Sequence, residues 1–453
     1  MVVYVLWEHV VPVQFWAPRL IYFMNTLFKN SIINIIFRIC ISISFGIILI
    51  LISRAFGSEG KGIFTLLYFI PLLAFNLGNL GITNANIYYI TQNKTIINKI
   101  LYNSLIEGLC LGCIFMIIFF IIAQVCPQWL YGDLNNYYIW LALLAIPFMF
   151  LEKFTQSIFI GKQEFTFFNI LTLLDKLLII FILLLQIYIW KTPIQYILLT
   201  YTIITIILPI IFIIYLVLTQ QNIWKFDWNL FKNRVYLGLR AFLTGLFGFL
   251  VIRSDIFLIN ALKTIGDVGL YSLAVNFTDE IMLIASSISL ALFPYINERQ
   301  EQSLETTLKT ARLLSLFLII VLSISIIFAK PVILYFFGAQ FVGSITSFYI
   351  LAIAIYFLSL CTIISQFFAS KGFPWNAVLI WLPGLIINIV LNLIYIPRFG
   401  IIAAALSSLF VYFLTFVFYF ILLQSYQHIK IKEILIPSRQ ELILLKNKYL
   451  RIH

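Results

Sequence analysis

The sequence predicts an all-α polytopic membrane protein with about twelve transmembrane helices. Of its 453 residues, 63% are hydrophobic and only 10% are charged, whereas soluble domains contain about 25% charged residues. The mean hydropathy is +1.06. Because a helix needs about 20 mostly apolar residues to cross the hydrocarbon core, the chain has room for these spans but for no sizeable soluble domain.

Charged residues, glycines and prolines separate the apolar runs and delimit the predicted spans. The spans are 30–56, 63–90, 100–126, 137–160, 166–190, 194–218, 236–261, 268–294, 310–330, 344–369, 375–396 and 400–424. Residues 1–29 are apolar but interrupted by Pro12 and Pro18, which indicates an interfacial segment, or a chain that truly starts at Met24. Residues 438–451 predict a basic amphipathic helix on the membrane surface, with a frayed solvated tail as the alternative.

The start of the second span resembles the start of the eighth. Gly62-Ile63-Phe64-Thr65-Leu66 is similar to Gly269-Leu270-Tyr271-Ser272-Leu273, and Glu59 or Asp267 precedes each copy. An even number of spans separates the copies, so the two halves would have the same orientation. This predicts two six-helix lobes related by a pseudo-two-fold axis along the membrane normal. The lobes are 30–218 and 236–425, joined by a cytoplasmic loop at 219–235 and followed by a tail at 426–453.

The basic residues predict the orientation of the chain. Most of the 29 Lys and Arg residues lie in connections that are cytoplasmic if the N-terminus is cytoplasmic. The prediction is therefore a cell (inner) membrane protein with both termini in the cytoplasm. The net charge of +12 is then explained by contact with anionic membrane lipids, and no nucleic-acid partner is expected.

Ionisable residues inside the predicted spans are the candidate functional residues, since charge at the centre of a membrane helix costs about 2.5–3.5 kcal/mol per residue on insertion scales. We predict a substrate cavity lined by Arg253, Asp255, Arg38, Lys153 and Lys176. The candidates for ion coupling, with H+ or Na+ as counter-ion, are Asp279, Glu280 and Glu107.

Several of these charges are also expected to pair. In the antiparallel hairpin of spans four and five, Glu152 lies at the depth of Lys176, and Lys153 at that of Asp175. We also consider a bridge between Arg253 and a carboxylate of span eight, and a similar bridge between Arg38 and Glu107. Structural neutralisation and participation in a substrate cavity both remain open for these charges.

Other chemistry is disfavoured. The three histidines lie outside the predicted spans, and the CxxC at Cys110 and Cys113 lacks a second pair, so we expect neither a histidine proton relay nor a metal or other cofactor. The chain has no phosphate-binding loop for ATP hydrolysis. Short outside connections make a membrane glycan polymerase a weaker hypothesis than a transporter, and no enzyme activity is predicted.

Two sets of motifs resemble those of a known family. The first is RSDIFL at Arg253–Leu258, GDVGLYSLA at Gly266–Ala274 and Phe293–Pro294, which resembles the span-seven-to-eight signature of bacterial polysaccharide-biosynthesis flippases. The second, FGSEGKGIF at Phe56–Phe64 and LGI at Leu80–Ile82, is similar to the matching signature in their first half. These are the Wzx-type flippases of the multidrug/oligosaccharidyl-lipid/polysaccharide exporter superfamily.

The resemblance implies a two-lobed transporter that moves a polyprenyl-diphosphate-linked oligosaccharide from the cytoplasmic to the periplasmic leaflet. Basic cavity residues attract the diphosphate in this family, and Arg253 is the position here that best fits that role. A polysaccharide polymerase is the candidate protein partner. A cation-coupled multidrug exporter of the same superfamily, with Asp279 and Glu280 as its site, is the alternative.

Overall fold

The computed structural model describes residues 17–219, 225–298, 300–372 and 374–435. This part of the chain is helical, with short turns between helices and no strand. Residues 1–16 and the predicted amphipathic helix at 438–451 lie outside the described residues, so their interpretations stay predictions.

The first half of the chain contains the helices α1 (Ala17–Gly78), α2 (Ile82–Gln92), α3 (Ile97–Val125), α4 (Pro127–Leu130), α5 (Asn136–Lys162), α6 (Phe165–Leu184) and α7 (Ile194–Thr219). The second half contains α8 (Trp228–Leu262), α9 (Ile265–Glu298), α10 (Ser303–Phe336), α11 (Gly343–Ser370), α12 (Trp375–Leu379), α13 (Trp381–Phe399), α14 (Ile401–Gln424) and α15 (Lys432–Leu435). We call the bundle end near Gly57 the outer end and the end near Trp228 the inner end.

Within the described residues, eleven helices are long and apolar enough to cross a membrane. The first of them, Ile36–Gly78, has 43 residues, which is about 64 Å of helix and twice the thickness of the hydrocarbon core. It bends at Gly57, whose φ of 70° and ψ of −164° suit only glycine. The bend divides α1 into two spans, and the architecture therefore has the predicted twelve.

The helices pack as two lobes. In the first lobe α1 contacts α5 and α6, and α3 and α7 pack on α5. In the second lobe α11 lies between α9, α10 and α14, while α13 joins α8 to α14. Between the lobes α1 packs along α9, and the inner half of α8 packs against α2.

The two copies of the sequence repeat face each other at the outer end of the bundle. Thr65 and Ser272, which are 207 residues apart and equivalent in the repeat, share a hydrogen bond of 2.9 Å between their hydroxyl oxygens. A Cβ on Gly269 would lie 1.8 Å from the carbonyl oxygen of Ser58, so only glycine allows this approach. Small residues give membrane helices such close contact. The predicted pseudo-two-fold relation is thus visible as a contact between its equivalent residues.

Two helix boundaries differ from the prediction. The helix resumes directly after Gly57, so residues 58–62, expected in a connection, are helical. At the other boundary α8 begins at Trp228, about two turns before residue 236. Asp227 caps it by accepting a hydrogen bond from the Leu230 N–H at 3.0 Å. Each shift brings a basic residue of a predicted loop into the helical bundle, namely Lys61 and Arg234.

Candidate functional site

A cavity of about 380 Å³ lies between the lobes, lined by α1, α8, α9 and the end of α10. Its walls are largely aromatic and include Phe45, Phe64, Tyr68, Phe69, Phe277 and Phe337. Its charged lining residues are Lys61, Arg253, Asp279 and Glu280. A volume of about 300–1,000 Å³ is typical of ligand pockets. The cavity thus combines apolar walls with a small number of convergent charges.

Arg253 enters the cavity from α8, in the outer half of the bundle. Its Nη2 donates to Asp279 Oδ2 at 2.7 Å, which confirms the predicted bridge between spans seven and eight. The guanidinium carbon lies 5.0 Å from the centre of the Phe69 ring, a cation–π distance. Its Nη1 is buried and has no hydrogen-bond partner among the described residues. Arg253 therefore retains an unused donor at the cavity.

Lys61 enters the same cavity from α1, in the first lobe. The side chain is buried, and Nζ donates to Thr65 Oγ1 at 3.0 Å and to Ser272 Oγ at 3.1 Å. In the described part of the chain no carboxylate lies within ion-pair distance of Nζ. Lys61 is thus a buried cation held by hydroxyl groups that come from both lobes.

The carboxylates of the cavity come from α9. Asp279 pairs with Arg253, whereas Glu280 accepts a hydrogen bond from the Ser42 hydroxyl of α1. Two cations and two carboxylates give the described lining no formal net charge. The cavity predicted from the sequence did not include Lys61, and it included residues that do not line the described cavity.

Asp255 is one of those residues. It is buried in the second lobe, where Oδ2 accepts hydrogen bonds from the Tyr271 hydroxyl and from Ser408 Oγ at 3.2 Å. The preceding Ser254 donates to Asn388 Oδ1 at 3.0 Å. Because Arg253 and Asp255 are two residues apart on a helix, they point to different faces. The structure therefore places Arg253 at the cavity and Asp255 among α8, α9 and α14.

Glu107 does not pair with Arg38. Its Oε1 accepts a charge-assisted hydrogen bond from Nη2 of Arg234, a fully buried residue of α8. Arg234 Nη1 also donates to Asn86 Oδ1 at 2.7 Å. Arg38 is exposed on α1 and does not belong to the described cavity lining. The prediction failed because it counted Arg234 as a residue of the inter-lobe loop.

These contacts belong to an inner-end junction, which we define as Asn86, Glu107, Arg234 and the touching pair Gly81 and Gly238. A Cβ on Gly81 would lie 2.4 Å from the carbonyl oxygen of Gly238. The junction attaches the start of α8 to α2 and α3. Together with the contact between Ser58 and Gly269, it means that the lobes touch on both sides of the cavity.

A further set of contacts continues the junction to the residue that precedes α8. Asn103 and Asp227 exchange two hydrogen bonds of 2.8 Å, between side chain and main chain. Lys99 lies 3.3 Å from the Asp227 carboxylate. The hydrogen bond from the Leu230 N–H, assisted by Lys99, lowers the pKa of Asp227 from its ordinary value. The cap of α8 is therefore charged at neutral pH.

The four charges of spans four and five pair differently from the prediction. Lys153 bonds Glu152 at 3.0 Å and Lys176 bonds Asp175 at 2.8 Å, so each lysine uses its sequence neighbour. The cross-hairpin pairing was wrong because α6 packs mainly against α1 and only weakly against α5. Neither Lys153 nor Lys176 lines the cavity as described. Their role in substrate binding stays a prediction without a contact to support it.

Among the described residues, no group of three His, Cys, Asp or Glu side chains could hold a metal ion. Cys110 and Cys113 carry free thiols on the exposed face of α3. Around Asp255, the hydroxyl oxygens of Tyr271 and Ser408 lie next to a single buried carboxylate. This group has the hard ligands that a small cation prefers.

Sequence reasoning missed Lys61 and Arg234. One signal was available for Lys61: it directly precedes Gly62, the first residue of the repeat, and the repeat copies were expected to be related by an axis between the lobes. Residues near such an axis are buried because the two copies of the repeat pack against each other there. For Arg234 we find no comparable signal, since a basic residue before an apolar run is typical of a cytoplasmic loop.

Comparison with known proteins identifies the family. A family model described as polysaccharide biosynthesis protein matches residues 27–300, more than half of the chain. The chain belongs to the polysaccharide biosynthesis protein family. The matched region of this family member includes most of α1, with Lys61, and all of α8 and α9, with Arg253 and Asp279. The resemblance inferred from the motifs is confirmed.

The similar proteins agree with this membership. A protein of Methanocaldococcus jannaschii, "Uncharacterized membrane protein MJ1375", is 29% identical over 196 residues, which are 42% of this chain and 45% of the relative. The match thus spans less than half the length of that curated relative. Among solved structures, the lipid II flippase MurJ in an inward closed conformation has a TM-score of 0.73 at 17% identity, covering 94% of this chain and 93% of that one.

A second solved structure extends the fold comparison. An inward-facing multidrug resistance transporter of the MATE family and the MOP superfamily has a TM-score of 0.64 at 13% identity, with 87% of this chain and 98% of that one covered. The polysaccharide biosynthesis protein described here therefore has the fold of that superfamily, as predicted.

Proposed function

We propose that this protein is a flippase that moves a polyprenyl-diphosphate-linked oligosaccharide from the cytoplasmic to the outer leaflet for surface polysaccharide synthesis. The observation that carries the proposal is the unpartnered Nη1 of Arg253, buried at a cavity between two lobes. A guanidinium presents donors in the planar geometry that phosphate oxygens accept. Membership of the polysaccharide biosynthesis protein family supports the lipid-linked glycan as substrate class.

The remaining features of the cavity suit a diphosphate attached to a lipid. Lys61 supplies a second cation from the opposite lobe, which is available to balance the negative charge that a diphosphate brings into the cavity. Aromatic walls stack on sugar rings and pack against isoprenoid carbon. At about 380 Å³ the cavity encloses a head group only in part, so the lobes must separate to admit an oligosaccharide.

Transport then proceeds by alternating access. The inner-end junction closes one side of the cavity, and the contact of Ser58 with Gly269 closes the other. Opening one contact while the other holds would expose the charged site to one side of the membrane at a time. The lipid tail would remain in the bilayer while the polar head passes between the lobes.

The reversal of one charge tests the substrate assignment. We expect Arg253→Glu to lower the rate at which proteoliposomes flip a fluorescent short-chain polyprenyl-diphosphate sugar by about 100-fold, because like charges repel at the site. Arg253→Lys keeps the charge but loses the planar donors, and about 10-fold slower flipping is expected. The exposed Arg398→Glu is the matched control and should flip at the parent rate. Parent-rate flipping by Arg253→Glu would sink the proposal.

A second candidate function has an observation of its own. Two carboxylates among aromatic walls, Asp279 and Glu280, are also a suitable environment for a lipophilic organic cation. If the protein is instead a multidrug exporter, the same proteoliposomes would transport ethidium. Asp279→Asn would then lower transport more than Arg253→Glu.

We assign the counter-ion to Asp255, which the sequence predicts to line the cavity, rather than to Asp279, Glu280 or Glu107. Glu107 and Asp279 are neutralised by arginines, whereas Asp255, among the described residues, accepts from hydroxyl groups and from the Ile256 N–H at 2.9 Å. An uncompensated buried carboxylate binds a proton or a small cation readily. We expect Asp255→Asn to abolish the acceleration of flipping by an imposed Na+ or H+ gradient. Basal flipping without a gradient should remain, which shows that the variant is still folded. Unchanged dependence of flipping on the gradient would contradict the role of Asp255.

The location completes the proposal. Eleven apolar helices support a multi-pass protein, and the basic residues support a cell membrane location with both termini in the cytoplasm. Protease access to a C-terminal tag in spheroplasts, compared with inverted vesicles, checks the orientation. A polysaccharide polymerase on the outer side would consume the flipped product.

A further inference from the structure

One carboxylate in the cavity occupies part of the site assigned to the substrate. Asp279 Oδ2 lies 2.7 Å from Nη2 of Arg253, in the position that an oxygen of a bound phosphate would take. The other carboxylate, Glu280, contacts the Ser42 hydroxyl and pairs with no arginine in the described part of the chain. The two adjacent acidic residues of α9 therefore have different environments.

We propose that Asp279 is an internal stand-in for the substrate diphosphate. Its carboxylate occupies Arg253 until a diphosphate displaces it. This inference rests on the proposed function, because it assumes that Arg253 binds the diphosphate. On displacement the carboxylate of Asp279 transfers to Lys61. The substrate thus exchanges one ion pair for two, and Arg253 is at no stage left without an anion.

The charges of the cavity allow this exchange. Lys61 and Asp279 line the same cavity. Lys61 has only hydroxyl partners in the described structure, so its charge is available to a displaced carboxylate. A buried carboxylate left alone would be costly. Transfer to Lys61 therefore makes displacement of Asp279 feasible.

The exchange makes Asp279 a specificity-determining residue. A diphosphate offers enough oxygens to engage both the free Nη1 and the vacated Nη2 of Arg253. A monophosphate can also bond both nitrogens, but it brings fewer oxygens and less charge than a diphosphate, and an uncharged head group brings no anion to displace Asp279. The stand-in carboxylate thereby raises the preference for diphosphate over monophosphate, which matters in a membrane that contains lipid phosphates of several kinds.

Binding of farnesyl diphosphate and farnesyl monophosphate to the purified full-length protein tests this inference. With Asp279→Asn we expect about 10-fold tighter binding of farnesyl monophosphate, because it no longer competes with a charge-assisted hydrogen bond. Farnesyl diphosphate should gain less, so the preference between the two ligands falls. The matched change Glu280→Gln alters the same net charge and should leave that preference unchanged. An equal loss of preference in both variants would show that only net charge matters, and would overturn the stand-in role.

Lys61→Met provides an independent test that leaves the pair of Arg253 and Asp279 intact. It should weaken farnesyl diphosphate binding about 10-fold in the parent, since the displaced carboxylate has no cation to join. In the Asp279→Asn background the same change should have little effect. Equal weakening in both backgrounds would contradict the transfer to Lys61.

If the parent binds farnesyl diphosphate no better than farnesol, the proposed function itself fails. If the parent does bind farnesyl diphosphate but Asp279→Asn leaves the preference for diphosphate over monophosphate intact, only the stand-in role fails.

Discussion

Glu107→Leu is expected to destabilise the protein by about 3–5 kcal/mol, because it leaves a buried guanidinium without its counter-charge. Arg234 is fully buried in α8, and Glu107 on α3 is its only carboxylate partner in the described residues. The measurement is the thermal unfolding midpoint in detergent, followed by intrinsic tryptophan fluorescence. A second readout is the solvent accessibility of the inner end, because the pair of Glu107 and Arg234 attaches α8 to α3.

The control for this prediction is the same change at a partly exposed pair. Glu164 lies 2.9 Å from Lys162 with its side chain 36% exposed, and surface pairs contribute about 0–1 kcal/mol. Adding Arg234→Met to Glu107→Leu should restore much of the lost stability, since apolar pairs replace buried ion pairs well. Recovery stays incomplete, because Asn86 loses the donor that its side-chain oxygen accepts from. Equal thermal unfolding midpoints for Glu107→Leu and Glu164→Leu would contradict the stabilising role of the buried pair.

Gly269→Ala is expected to separate the lobes at the outer end and to abolish flipping in any mechanism that requires this end to close. One added methyl would lie 1.8 Å from the carbonyl oxygen of Ser58 and 3.0 Å from the amide nitrogen of Gly62, both of them main-chain atoms. Neither can move without displacing a helix, because protein interiors are close-packed. The measurement is disulfide formation between Thr65→Cys and Ser272→Cys in a background without other cysteines.

The hydroxyl oxygens of Thr65 and Ser272 lie 2.9 Å apart, so their cysteine replacements should cross-link in the parent protein. The yield should fall several-fold with Gly269→Ala, as the helices are held apart. Gly266→Ala is the matched control one turn earlier on α9, where the nearest side-chain atom is 3.4 Å from an added Cβ. Unchanged cross-linking in Gly269→Ala would show that the outer contact is looser than described.

Much of the fold could be predicted because it follows from local properties of the chain. Apolar length marked the spans, and the similarity of Gly62–Leu66 to Gly269–Leu273 indicated the two-fold relation now seen in the contact of Thr65 with Ser272. The boundaries were less certain. Glycine at residue 57 was expected to begin a connection, but its positive φ turns the helix within one residue and the helical structure continues.

The candidate site was predictable only in part. Arg253 and a carboxylate of the following span were expected to meet, because consecutive antiparallel helices bring similar depths together, and Arg253 does bond Asp279. The pairing of Glu107 with Arg234 joins residues that are 127 positions apart. No local pattern relates two such residues, because their contact depends on how α8 packs against the first lobe.

The sequence by itself determined that this protein lies in the membrane, that it has about twelve spans in two similar halves, and that charges occur inside it. These properties depend on composition and on spacing along one helix. Only the tertiary structure decided which charges share a cavity: Lys61 and Arg253 with Asp279 and Glu280, but not Asp255. The physical reason is that a side chain's partners depend on the rotation and depth of its helix, and packing against other helices sets both.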